Sequence, residues 1–106
     1  MIASLTGQIR ARDPEGIVLD VAGVGYRVAM PARSLARLDG STEVFVHTYL
    51  HVREDVMCLY GFVDTDERDF FELLKGVSGI GPKVAIGLLS SYGPSDPPRP
   101  PVRTDV

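Results

Sequence analysis

The sequence predicts a mainly β protein that closes with α-helix: a five-stranded, partly open barrel of the OB type, then a hairpin of two helices and a Pro-rich end. Three observations predict it. Apolar residues recur with a period of two over residues 1–62, the period becomes helical from Asp64, and one short helical stretch falls between the third and fourth strands. A small barrel of the SH3 type is the alternative.

Residues 2–10, 16–22, 25–30, 43–50 and 56–62 read as strands, rich in Val, Ile, Tyr, Phe and Leu. Turn chemistry separates them at Asp13-Pro14-Glu15-Gly16, Gly23-Val24-Gly25, Asp39-Gly40-Ser41 and Arg53-Glu54-Asp55. Residues 31–38 form the intervening helix, with Pro31 at its start and Leu35 and Leu38 three apart. Asp64 is an N-cap with Glu67 three residues on, a capping-box arrangement, so the first helix of the hairpin starts near Thr65. The acids Asp64, Asp66, Glu67, Asp69 and Glu72 read as a solvated face that complements the helix dipole, because they lack the spacing of a metal-binding loop.

The two helices carry apolar stripes at Phe70, Leu73, Leu74 and Val77 and at Val84, Ala85, Leu88 and Leu89. Between them lies Val77-Ser78-Gly79-Ile80-Gly81-Pro82, with Lys83 next. Gly79 and Gly81 permit backbone angles closed to other residues, and Pro82 suits a first helical turn because its missing N–H would go unbonded there. The loop amides are expected to donate outward, and amides at a helix start beside a lysine suit a phosphate oxygen. The alternative is a Gly-rich turn that touches no ligand.

Composition narrows the function classes. The chain has 106 residues, 44% hydrophobic and 24% charged, with a net charge of −3. That describes a soluble globular protein without a broad basic face, so any nucleic-acid contact must be local. Neither a membrane span nor a basic leader is legible, and the cytoplasm is the expected location. One cysteine, Cys58, allows no internal disulfide and no CxxC metal site; it reads as a small core residue. His47 and His51 sit on one strand about 13 Å apart, too far to share an ion. No catalytic constellation, cofactor motif or metal site is expected. Glu54 and Asp55 tip a strand connection; they read either as a wet turn or as a repulsive post that pushes DNA phosphates aside.

The hairpin is similar to the helix-hairpin-helix motif of DNA-binding proteins. More of the chain, over residues 1–91, resembles the RuvA family, the Holliday-junction-binding subunits of the bacterial branch-migration complex. The match rests on Met1-Ile2 with Leu5-Thr6-Gly7, Val21-Ala22-Gly23-Val24-Gly25-Tyr26-Arg27-Val28, His51-Val52-Arg53-Glu54-Asp55, Leu59-Tyr60-Gly61-Phe62, and the run from Leu74 through Val77-Ser78-Gly79-Ile80-Gly81-Pro82-Lys83 to Ala85. The resemblance implies an OB-fold domain (1–63) that builds a homotetramer, a helix-hairpin-helix segment (64–92) that binds four-way junction DNA, and an acidic pin at Glu54 and Asp55. Phosphate binding falls to Gly79, Ile80, Gly81 and Lys83. It also implies a partner, the RuvB ATPase ring, and no catalytic residues in this subunit. Residues 93–106, with five prolines and a PxxP match from Pro97 to Pro100, are expected to be a disordered tail. Family members continue instead through a second hairpin and a RuvB-docking domain, so the chain reads as a truncated or frameshifted member, or a fragment. Two rivals are a pure assembly module and a DNA glycosylase; the latter needs an Asp on an ordered downstream helix, whereas Asp96 and Asp105 fall in the Pro-rich end.

Overall fold

The computed structural model describes residues 1–91; Tyr92 and the Pro-rich residues 93–106 lie outside it, and with them the tail expected from the sequence. In chain order the elements are β1 (Ser4–Asp13), β2 (Gly16–Val21), β3 (Val24–Ala29), α1 (Ala32–Arg37), β4 (Glu43–Arg53), β5 (Val56–Phe62), α2 (Thr65–Lys75) and α3 (Pro82–Ser91). No helix among the described residues is long and apolar enough to cross a membrane.

The strands form a closed barrel in the order β1-β2-β3-β5-β4. This is OB-like connectivity, with β3 and β5 parallel through Val28↔Leu59 and Ala29↔Tyr60 and the remaining pairs antiparallel. The barrel is closed where the sequence suggested a partly open one, because β1 serves two partners. Its first half pairs with β4 from Ser4↔His47 to Gln8↔Glu43, and its second half pairs with β2 as far as Asp13↔Gly16. A register shift between Ile9 and Ala11 lets the strand run past Arg10, where the alternation in sequence fades. Likewise β4 continues to Arg53, paired with Val56. The bend expected at Gly23-Val24-Gly25 sits one residue earlier: Ala22 (φ 52°) and Gly23 (φ 92°) make the turn, and Val24 and Gly25 belong to β3. Two successive left-handed residues match the twist of the flanking strands.

Period-two burial fills the barrel. Ile17 and Leu19, Val28 and Met30, and Val44 and Val46 point inward with Leu5 and Leu38. Gly61 also faces this interior; a Cβ there would come 2.5 Å from Val28 Cγ1. The alternate residues of β5, Tyr60 and Phe62, face the other way and join Phe71, Ala85 and Leu89 in a second cluster. Phe71 is its hub, with ring centroids 5.4 Å from Tyr49, 5.5 Å from Tyr60 and 5.0 Å from Phe62.

The helix faces differ from the stripes read in the sequence. On α2 the fully buried apolar residue is Phe71, while Leu73 is exposed, as is Val77 just beyond the helix; on α3, Ala85 and Leu89 are buried and Val84 is exposed. Phe70, Phe71, Leu73 and Leu74 fit two overlapping helical stripes, and only the aromatic floor of β4 and β5 chooses between them. Asp64 caps α2 as expected, its Oδ1 accepting from the Glu67 N–H at 2.8 Å. Glu67 does not return the bond to Asp64, as a capping box would. Its Oε1 accepts from the Ser34 hydroxyl at 2.6 Å and the Val63 N–H at 3.3 Å, so this acid is buried rather than solvated.

Candidate nucleic-acid interface

The loop between α2 and α3 is a tight turn built by two internal bonds: the Val77 N–H donates to Leu74 O at 3.0 Å, and the Ile80 N–H donates to Val77 O at 3.1 Å. Gly79 sits within it at φ 85°, a left-handed conformation that strains any residue with a Cβ. Gly81, expected to need the same freedom, has no positive φ; its carbonyl accepts from the Ala85 N–H at 3.0 Å, which makes it the N-cap of α3. A glycine cap has no side chain to satisfy the first-turn amides.

The consequence is a cluster of unused donors. Among the described residues, no bond takes the N–H of Ser78, Gly79, Gly81, Lys83 or Val84. Ile80 is different: its N–H is spent in the turn and its half-buried side chain packs on the Phe71 cluster. Of the residues singled out in the sequence, Gly79, Gly81 and Lys83 therefore present donors, and Ile80 anchors the loop that carries them. A built Cβ at Gly79 or Gly81 meets nothing within 4 Å, so the space above both is open. The positive end of the α3 dipole emerges at the same place.

Lys83 is exposed and lines a cleft of about 460 Å³ between α3 and the barrel. Its walls include Arg27 of β3, Met57 and Cys58 of β5, and Ile86 and Ser90 of α3. Cys58, expected as a core residue, is half-buried on this wall and packs at the edge of the Phe71 cluster. The cleft brings the start of α3 together with the strand that leaves the Glu54-Asp55 turn. Arg27 is already paired with Asp13 at 2.8 Å, which lowers the carboxyl of Asp13 below its ordinary value.

Glu54 and Asp55 form the two-residue turn between β4 and β5, both exposed. The ladder is paired up to their base through Val52↔Met57 and Arg53↔Val56, so the carboxylates stand at the tip of a fully paired ribbon. Val52, Val56 and Met57 are exposed on that ribbon. His51 Nε2 accepts from Arg53 Nε at 3.2 Å, which turns the arginine back along the strand. His47 and His51 are both half-buried on β4, against Phe45 and Tyr60 respectively.

A second set of polar residues, of which the sequence marked only Asp64 and Glu67, ties the hairpin to the barrel. Arg37 of α1 reaches Asp64 at 2.8 Å and Glu67 at 3.7 Å. Burial raises the Asp64 carboxyl, but the Arg37 hydrogen bond and the Glu67 amide outweigh it and leave the group below its ordinary value of 3.8. The Ala32 N–H donates to Ser90 Oγ of α3 at 2.9 Å. Lys75 Nζ lies 4.7 Å above the Tyr49 ring. Ser34 and Arg37 carry no signal of this junction in the sequence.

A family model described as the RuvA N terminal domain matches residues 1–61, from the first residue into β5. The chain belongs to the RuvA family. A curated RuvA relative, the Holliday junction branch migration complex subunit RuvA of Rubrobacter xylanophilus, is 44% identical over 107 residues, covering 100% of this chain and 55% of that protein. Proteins of the same name from Trichlorobacter lovleyi and Symbiobacterium thermophilum are each 48% identical, over 89% and 90% of this chain and 47% of theirs. The chain thus spans about half the length of the RuvA relatives it matches.

Proposed function

We propose that this chain binds four-way junction DNA as a RuvA-type subunit in recombination and repair. The amides of Ser78, Gly79, Gly81 and Lys83, with the Lys83 ammonium beside them, hold backbone phosphates of a duplex arm. Ile80 supports that contact by anchoring the loop. Glu54 and Asp55 act by repulsion at the crossover, where carboxylates turn phosphates aside without binding them. Assembly as a homotetramer and branch migration with a RuvB-type ATPase belong to the same reading and concern the whole subunit, of which the matched stretch is about half.

The observation that carries this reading is an amide-presenting loop and a carboxylate-tipped ribbon on one chain of the RuvA family. Gel-shift titration of a four-way junction at low salt tests it, comparing the chain with Gly81→Val. The substitution meets open space and no left-handed backbone in the free protein, so the barrel and hairpin stay folded while the new side chain fills the phosphate position. With each charge-assisted hydrogen bond worth about 1.5–3 kcal/mol, loss of one or more lowers junction affinity at least tenfold. Unchanged binding by the folded variant would overturn the phosphate role. A wild-type chain that assembles but binds no junction would favour the assembly-module reading.

A further inference from the structure

One apolar cluster joins hairpin and barrel. At its centre Phe71 sits among Tyr49, Tyr60 and Phe62 with tilted or edge-on rings, the geometry aromatic pairs prefer. Hydrogen bonds supply direction, and α1 supplies two sets to two different helices. At its start the Ala32 N–H is held by Ser90 Oγ of α3, while Ser90 also donates to Ile86 O at 3.0 Å. Further along, the fully buried Ser34 hydroxyl donates to Glu67 of α2, and Arg37 grips Asp64 and the same Glu67. Two anchors on separate helices plus one apolar pivot leave a rigid body no free rotation.

We propose that α1 is a bracket that sets the orientation of the phosphate-binding hairpin against the barrel, with Ser34, Arg37, Glu67 and Ser90 as positioning residues for junction recognition. The consequence for DNA rests on the function proposed above; the geometry does not. A four-way junction is engaged at several points at once, the arms by the hairpin loops and the crossover by the carboxylates of β4 and β5. Simultaneous engagement requires a fixed angle between these parts, whereas a single duplex needs only the loop. Glu67, buried and paired across the two parts, is suited to this role because a misplaced partner leaves its carboxylate unsatisfied.

The test uses the full chain, ¹⁵N-labelled and weakly aligned, with a Ser34→Ala/Arg37→Ala double variant, Ser90→Ala, and Glu67→Gln as the conservative control that keeps an acceptor for Ser34 and the Val63 amide. Backbone N–H residual dipolar couplings of the strands and of α2 and α3 fit one alignment tensor in the wild type and two in the double variant. In the same variant the preference for a four-way junction over a duplex of equal length falls roughly tenfold or more and duplex affinity stays within about twofold, while Glu67→Gln, which keeps the Ser34 acceptor but weakens the Arg37 grip, loses less of that preference than the double variant. Ser90→Ala gives an intermediate result and serves if the double variant does not fold. A single tensor in the variants, or two tensors with the junction preference intact, would overturn the bracket. A wild-type chain that binds neither DNA removes the function reading, and the tensors then decide the bracket alone.

Discussion

Two tight turns of this molecule carry opposite chemistry by opposite means. The β4–β5 turn presents Glu54 and Asp55, so its charge resides in side chains on a fully paired ladder. The α2–α3 loop presents amides, so its chemistry resides in a backbone exposed by Gly79 and Gly81 and by the helix start at Pro82. The first is written in the sequence by what is present, the second by what is missing. The first can be neutralised without moving an atom of the main chain, whereas the second is blocked by the addition of side-chain bulk.

The largest expected effect separates the supports of the two turns. Phe71→Ala removes the hub under the hairpin and should cost about 3–5 kcal/mol in urea unfolding. Amide exchange should show α2 and α3 losing protection while the β4–β5 ladder keeps it; equal loss in both would mean that the turns share one cooperative unit. Next comes the acidic turn. Glu54→Gln with Asp55→Asn should leave thermal stability within about 0.5 kcal/mol, since both groups are exposed. Junction affinity should hold or rise while discrimination against duplex falls; weaker junction binding would mean that the acids contact something basic instead of repelling phosphate.

The smallest effect concerns the base of the hairpin and lies in how stability changes with pH. Asp64 titrates below its ordinary value, so its contribution to stability is complete above 3.8 and is lost as the pH falls through the lowered value. Asp64→Asn, which keeps the cap acceptor, should therefore flatten the decline of the unfolding temperature below about pH 4. A decline as steep as the wild type's would assign the acid sensitivity to Asp13 and Asp20, which are also lowered, each chiefly by its arginine partner.

Much of the fold was legible because it rests on local rules. Period-two runs located all five strands, Val56–Phe62 to the residue, and Asp64 marked the start of α2. What could not be read depends on tertiary partners. The choice of Phe71 over Leu73 needs the aromatic floor supplied by Tyr49, Tyr60 and Phe62, and the burial of Glu67 needs Ser34, distant in sequence. At the candidate site, the Gly-Ile-Gly pattern located the donors but not their use. Ile80 spends its N–H inside the turn, and Gly81 serves as a bare cap rather than a left-handed hinge.

The closed barrel has a further consequence for the order in which the chain acquires structure. β1, β2 and β3 pair as a meander of neighbours, and α2 and α3 meet across one loop, so these contacts form between residues close in sequence. Closure instead joins Ser4 to His47 and Val28 to Leu59, and the second of these seams has only two residue pairs. Long-range pairing of this kind must pay loop-closure entropy before any contact offsets it, which makes closure the slow event. On a ribosome, the meander would emerge with an unpaired strand edge and wait for β4 and β5. The hairpin, which emerges after β5, finds its aromatic floor only once that strand has sealed the wall.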